Sequence, residues 1–130
     1  LAESISSFYP ALSDKGITPN VTITDKRIVL NIDKASLTRI FANLLNNAVK
    51  CSDGDLDITL SDMGEITFSN TAKTLSAVQV EQLFDRFYTV EVAHYSTGLG
   101  LSIARTLVER MGGEITAEYV VDRLTIRICF

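Results

Sequence analysis

At 130 residues, 46% of them apolar, the chain is long enough for one domain with a real core and too short for two of ordinary size. A formal net charge of -4 disfavours a sequence-independent nucleic-acid surface. No run approaches the ~20 apolar residues of a membrane span, and no charged-then-apolar signal segment opens the chain. Cys51 and Cys129 stand in no metal-type spacing, so reduced thiols in a reducing compartment are expected.

The start, Leu1-Ala2-Glu3, lacks a Met and opens inside a helical pattern, as an excised piece of a longer chain would. Ile5, Phe8, Tyr9 and Leu12 recur at helical spacing over Ala2–Leu12, ending before Ser13-Asp14-Lys15-Gly16. Val21 and Ile23, then Ile28, Leu30 and Ile32, alternate with polar neighbours around Asp25-Lys26-Arg27 and predict a hairpin. Asn31 or Asp33 is placed to cap a helix over Ala35–Cys51, which Ser52-Asp53-Gly54-Asp55 breaks.

Leu56, Ile58 and Leu60 then restart a period of two, and Asp62-Met63-Gly64 turns into a second strand, Glu65–Asn70. There Ile66, Phe68 and Asn70 share one face. Asn70 is a polar group where the pattern calls for an apolar one; on the pattern alone, fraying at the strand end is preferred over placement toward a ligand. Ser76 begins a helix with Val78, Val80, Leu83, Phe84 and Phe87 on its apolar side. Tyr88–Thr97 has no clean period. Leu101–Met111 is a helix ended by Gly112-Gly113, and Ile115–Tyr119 with Leu124–Phe130 forms a last hairpin. The order predicts an α/β sandwich: one mixed, mostly antiparallel sheet of about five strands with about three helices packed on one face.

Helix Ala35–Cys51 carries two different faces. Leu37, Ile40, Phe41, Leu44, Leu45 and Ala48 need a cover, while Arg39, Asn43, Asn47 and Lys50 follow at steps of four, four and three, with Asn46 alongside. A polar stripe is ordinarily just the wet face, but wet faces are built of Glu and Lys, and this one has three Asn and no acid. Carboxamides are poor interior helix formers. They do supply a neutral oxygen for a hard cation and a donor for phosphate. Gly98-Leu99-Gly100-Leu101-Ser102-Ile103 stands at a helix start, where free N–H groups favour an anion, although neither a dinucleotide fingerprint nor a Walker loop is present.

Together, Arg39-Ile-Phe-Ala-Asn-Leu-Leu-Asn-Asn-Ala-Val-Lys50, Leu83-Phe-Asp-Arg-Phe-Tyr88 and Ser96-Thr-Gly-Leu-Gly-Leu-Ser-Ile103 resemble the N box, F box and second glycine box of the catalytic, ATP-binding domain of bacterial sensor histidine kinases. That domain belongs to the GHKL superfamily with DNA gyrase B and MutL, and the resemblance covers essentially the whole chain, implying a Bergerat-type sandwich over residues 1–130. It implies that Asn47 holds Mg²⁺, that Asn43 sits by the ATP phosphates, that Lys50 touches them, and that Arg86 steadies charge on the γ-phosphoryl group. Asn43, Lys50 and Arg86 are then the catalytic set. Thr97, Gly98, Leu99, Gly100 and Leu101 cradle phosphates through their N–H groups, Thr89–Ser96 forms a lid, and Asn70 and Leu75 belong to the base side.

Family members that hydrolyse ATP with water carry Glu where Asn43 stands; a carboxamide cannot take water's proton, so transfer to a histidine is expected over hydrolysis. The first glycine box, Asp-x-Gly-x-Gly, is replaced by Asn70-Thr-Ala-Lys-Thr-Leu75, and Cys51 replaces an aromatic. Asn70 can still accept from the adenine amino group, without charge. His94, the only histidine, lies in the lid; the phosphoacceptor is implied to be on a separate dimerisation domain, absent here.

The implied partners are that dimerisation domain in the parent chain and, downstream, a response regulator, with no nucleic acid and no direct membrane contact. The implied location is cytoplasmic with a parent that can be membrane-anchored, dimeric as a whole and monomeric as this piece. Two alternatives are a non-catalytic interaction module of the same fold and a serine kinase of the anti-sigma-factor type.

Overall fold

The computed structural model describes residues 2–24, 33–73 and 100–130. Its central element is helix α2, Lys34–Cys51, opened by Asp33, whose carboxylate accepts from Ser36 N at 3.2 Å and Ser36 Oγ at 2.7 Å. These bonds hold the Asp33 carboxyl below the ordinary carboxylate range and satisfy N–H groups that a helix start leaves open. Asn31, the other candidate cap, lies outside the described residues.

α2 is preceded by helix α1, Ala2–Asp14, and strand β1, Thr18–Ile23, and followed by β2, Asp55–Leu60, and β3, Ile66–Thr71; helix α3, Gly100–Arg110, then leads to β4, Glu114–Val120, and β5, Arg123–Cys129. α1 runs two residues past the expected end. Gly16 at φ +70° then lets Ile17 N donate back to Leu12 O at 2.9 Å. α3 stops the same way, with Gly112 at φ +80° and Gly113 N donating to Val108 O at 3.0 Å.

The five strands form one sheet in the order β1-β2-β3-β5-β4. β1 pairs with β2 in parallel, Val21 opposite Ile58, and the other three pairings are antiparallel. The expected partner of β1, Ile28–Ile32, lies outside the described residues; the neighbour seen is β2, reached through α2 as a parallel crossover requires. The helix expected from Ser76 and the Tyr88–Thr97 segment also lie outside them.

Helices cover one face of the sheet, and a single core lies between the layers. Ile40, Phe41, Leu44, Leu45 and Ala48 of α2 meet Leu56, Ile58, Ile66, Phe68, Leu124, Ile126 and Ile128 from the strands, with the Phe41 and Phe68 rings 6.3 Å apart. Burying one such leucine contributes about 2 kcal/mol. The other face carries no helix among the described residues and is held by polar cross-strand pairs: Thr59 with Thr67, Ser69 with Thr125 at 3.0 Å, and Arg123 with Asp55 and Asp57.

Asn70 corrects the expectation of a frayed strand end. β3 continues through Thr71, Asn70 stands opposite Leu124, and its residue is only 3% exposed. It is buried because the ladder with β5 outlasts it.

Candidate functional site

The polar stripe of α2 divides in the fold. Arg39 and Asn46 are exposed, whereas Asn43, Asn47 and Lys50 are half-buried, on the flank of the core-facing side where helical geometry puts steps of four and three. Asn47 is engaged in an interaction of its own. Asn43 Nδ2 is closed off from solvent and has no hydrogen-bond partner among the described residues. A buried donor in that state costs about 1–3 kcal/mol unless a partner beyond the described residues supplies the acceptor.

α2 packs against α3 on one side and over β3 below. That places three contributions on neighbouring elements: the Asn43–Asn47–Lys50 flank, the buried Asn70 of β3, and the start of α3 with Gly100 and a buried Leu101. Leu75, Arg86, His94, Thr97, Gly98 and Leu99 lie outside the described residues. So does the lid, Thr89–Ser96.

The segment after Asn70 accommodates the missing glycines where it is described. Ala72 is fully buried, and among the described non-glycine residues only Val121 and Asp122 have a positive φ, so its backbone does not demand glycine. Thr71 N donates to Asp55 Oδ1 at 2.7 Å, Ala72 N to Asp122 O at 2.8 Å, Lys73 N to Asp53 Oδ2 at 2.8 Å, and the Tyr119 hydroxyl to Ala72 O at 2.7 Å. Asp53, Asp55, Tyr119 and Asp122 are absent from the residues singled out by sequence. Their only signal is register: Tyr119 reads as one more core position of an alternating strand.

The donor set suits a phosphate-bound divalent cation better than a protein-caged one. Among the described residues no group of three or more His, Cys, Asp or Glu could hold a metal ion. Carboxamide oxygens are hard, neutral ligands, and Mg²⁺ characteristically takes one or two protein ligands beside phosphate and water. No described helix is long and apolar enough to cross a membrane.

Comparison with known proteins bears on the family and the fold. Residues 32–129 match the model of the family described as histidine kinase-, DNA gyrase B-, and HSP90-like ATPase. Sensor protein VanSC of Enterococcus gallinarum is 32% identical over 119 residues, which is 85% of this chain and 33% of that protein. Sensor histidine kinase YcbM of Bacillus subtilis is 32% identical over 124 residues, 88% of this chain and 40% of that one. The chain thus spans roughly a third of the length of these relatives. The nucleotide-free catalytic domain of histidine kinase ThkA superposes with a TM-score of 0.84 at 23% identity, over 98% of this chain and 86% of the other, which establishes the shared fold. With the matched model covering most of its length, the chain belongs to the family of histidine kinase-, DNA gyrase B- and HSP90-like ATPases.

Proposed function

We propose that the chain binds Mg²⁺–ATP along the Asn43–Asn47–Lys50 flank of α2 and, within a longer parent, is the catalytic domain that delivers the γ-phosphoryl group to a histidine on a dimerisation domain. A response-regulator aspartate receives it next. The observation that carries this reading is Asn43 Nδ2, an amide donor buried without a partner among the described residues, one helical turn from Asn47. Membership of an ATPase family and sensor-kinase relatives support it.

The cation, when bound, neutralises phosphate charge and orients the transferring group. Asn47 would hold it through its side-chain oxygen, and Asn43 would donate to a phosphate oxygen. Lys50, in the last turn of α2, brings a positive charge to the triphosphate. By the family resemblance, Arg86 and the N–H groups of Thr97–Leu101 would serve the phosphates, and Asn70 and Leu75 the base. No group on the described flank takes a proton from water, since a carboxamide has no basic lone pair at neutral pH. Phosphoryl transfer to a histidine nucleophile therefore outruns hydrolysis. The domain works on the cytoplasmic side of its parent, as a monomer when isolated, and makes up one folding unit over residues 1–130.

Incubation of the chain with its parent's dimerisation domain and γ-labelled ATP tests this. Acid-labile, base-stable phosphate on the dimerisation domain is the expected product. An acid-stable product identifies a hydroxyl kinase, and bound nucleotide without transfer identifies an interaction module.

A further inference from the structure

Every polar atom of Thr71, the last residue of β3, is hydrogen-bonded. Its N–H donates to Asp55 Oδ1 at 2.7 Å, its hydroxyl donates to Asp55 Oδ2 at 2.9 Å, and its carbonyl accepts from Asp53 N at 2.9 Å and from Asn70 Nδ2 at 3.2 Å. Two residues on, Lys73 N donates to Asp53 Oδ2 at 2.8 Å. Both aspartates belong to the stretch that directly follows α2, so the end of one element holds the end of the other.

That stretch is fixed to α2 in turn. Ser52 N donates to Ala48 O at 2.9 Å, and Ser52 Oγ accepts from Gly54 N at 3.1 Å and donates to Asp55 O. A short run of hydrogen bonds thus leads from the last turn of α2, where Lys50 stands, through Ser52, Asp53 and Asp55 to Thr71 and the Asn70 amide. The β4–β5 turn holds Ala72 separately, through Asp122 O at 2.8 Å; only the α2 side joins the helix flank of Asn43, Asn47 and Lys50 to Asn70. The spacing between these two places matters to any ligand that touches both. Where the protein fixes it beforehand, the two contacts reinforce each other, and where it wanders, binding must order the protein and the affinity falls.

We propose that Asp53 and Asp55 are positioning residues of the nucleotide site: they hold the end of β3 at a set distance from the Asn43–Asn47–Lys50 flank, and so govern affinity for a ligand that spans both while leaving one that touches only α2 unaffected. The inference rests on the reading of α2 and Asn70 as the phosphate and base ends of an Mg²⁺–ATP site made above.

The test is calorimetric titration of the chain and its Asp53→Ala, Asp53→Asn, Asp55→Ala and Arg123→Ala variants, at a temperature where circular dichroism shows each of them folded. The ligands are Mg²⁺–AMPPNP, which spans both ends, and Mg²⁺–tripolyphosphate, which has no base. Asp55→Ala is expected to weaken AMPPNP about fivefold and Asp53→Ala about threefold, the scale of one hydrogen bond, with tripolyphosphate unchanged in both. Asp53→Asn keeps an acceptor for Lys73 N and stays near the wild type. Arg123→Ala removes the guanidinium from Asp55 Oδ2 but spares the Thr71 bonds, so it lowers stability and leaves both affinities alone. Unchanged AMPPNP affinity in the two alanine variants at 53 and 55, an equal loss for the two ligands, or an equal AMPPNP loss in Arg123→Ala overturns the positioning role. A wild type that binds neither ligand, or both equally well, overturns instead the two-ended site on which that role rests.

Discussion

Arg123 Nη1 lies 2.8 Å from Asp55 Oδ2 while Nη2 bonds Asp57, so one guanidinium on β5 reaches across β3 to clasp two carboxylates of β2. Desolvation acts to raise the Asp55 carboxyl, but the Thr71 N–H, the guanidinium and the Thr71 hydroxyl together hold it below the ordinary carboxylate range. A depressed folded-state value stabilises above the unfolded value, about 3.9, and the benefit fades as pH falls past it toward the folded-state value. Arg123→Ala is therefore expected to cost about 1 kcal/mol near pH 7, the scale of a partly exposed pair. Urea titrations at pH 7 and pH 3 should show the gap between mutant and wild type closing at the acid end.

Asn43 poses stability against function. Its Nδ2 has no partner among the described residues, so Asn43→Ala removes a desolvated donor along with a little packing. Melting of the nucleotide-free mutant is expected at or above the wild-type temperature, while the rise that Mg²⁺ and a non-hydrolysable ATP analogue give the wild type is largely lost. A nucleotide-free loss above about 2 kcal/mol would mean that the fold itself uses the amide.

The core side of α2 behaves in the opposite way. Leu44 is 1% exposed, and Leu44→Ala should cost about 3 kcal/mol with little change in the denaturant slope. Gly112 and Gly113 separate two causes of damage. A Cβ at Gly113 would sit 2.8 Å from Cys129 O and from Phe130 Cδ1, whereas at Gly112 it meets nothing within 4 Å and the penalty is the φ of +80° alone. Gly112→Ala should cost about 1 kcal/mol. Gly113→Ala should cost more, as urea midpoints will measure.

The β4–β5 turn offers a gain. Val121 and Asp122 occupy its two central positions at φ 49° and 62°, and Val121, 92% exposed, has no packing to offset a β-branched side chain in the left-handed region. Val121→Asn is expected to stabilise by about 1 kcal/mol in chemical denaturation.

Local patterns carry most of this fold and part of its site. The alternation of Ile66, Phe68 and Asn70 is enough to set Asn70 on the core side, and the three-and-four spacing is enough to gather Asn43, Asn47 and Lys50. That β3 runs on past Asn70 is not local information, because it depends on Leu124 and Arg123 of β5. The parallel pairing of β1 with β2 is hidden for the same reason, because the two strands meet only across α2. The hydrogen bonds that Asp53, Asp55, Tyr119 and Asp122 make to Thr71–Lys73 are invisible in sequence, since these are ordinary turn and strand residues that meet only after the sheet has closed.

The proposed role of the carboxamide flank of α2 is to bind a magnesium triphosphate. Calorimetric titration with the non-hydrolysable analogue AMPPNP, with and without Mg²⁺, on wild type and Asn47→Ala addresses it most directly. Tight, Mg²⁺-dependent binding by the wild type and its loss in Asn47→Ala is the predicted result. Equal affinity in the two proteins, with the same response to Mg²⁺, would contradict it.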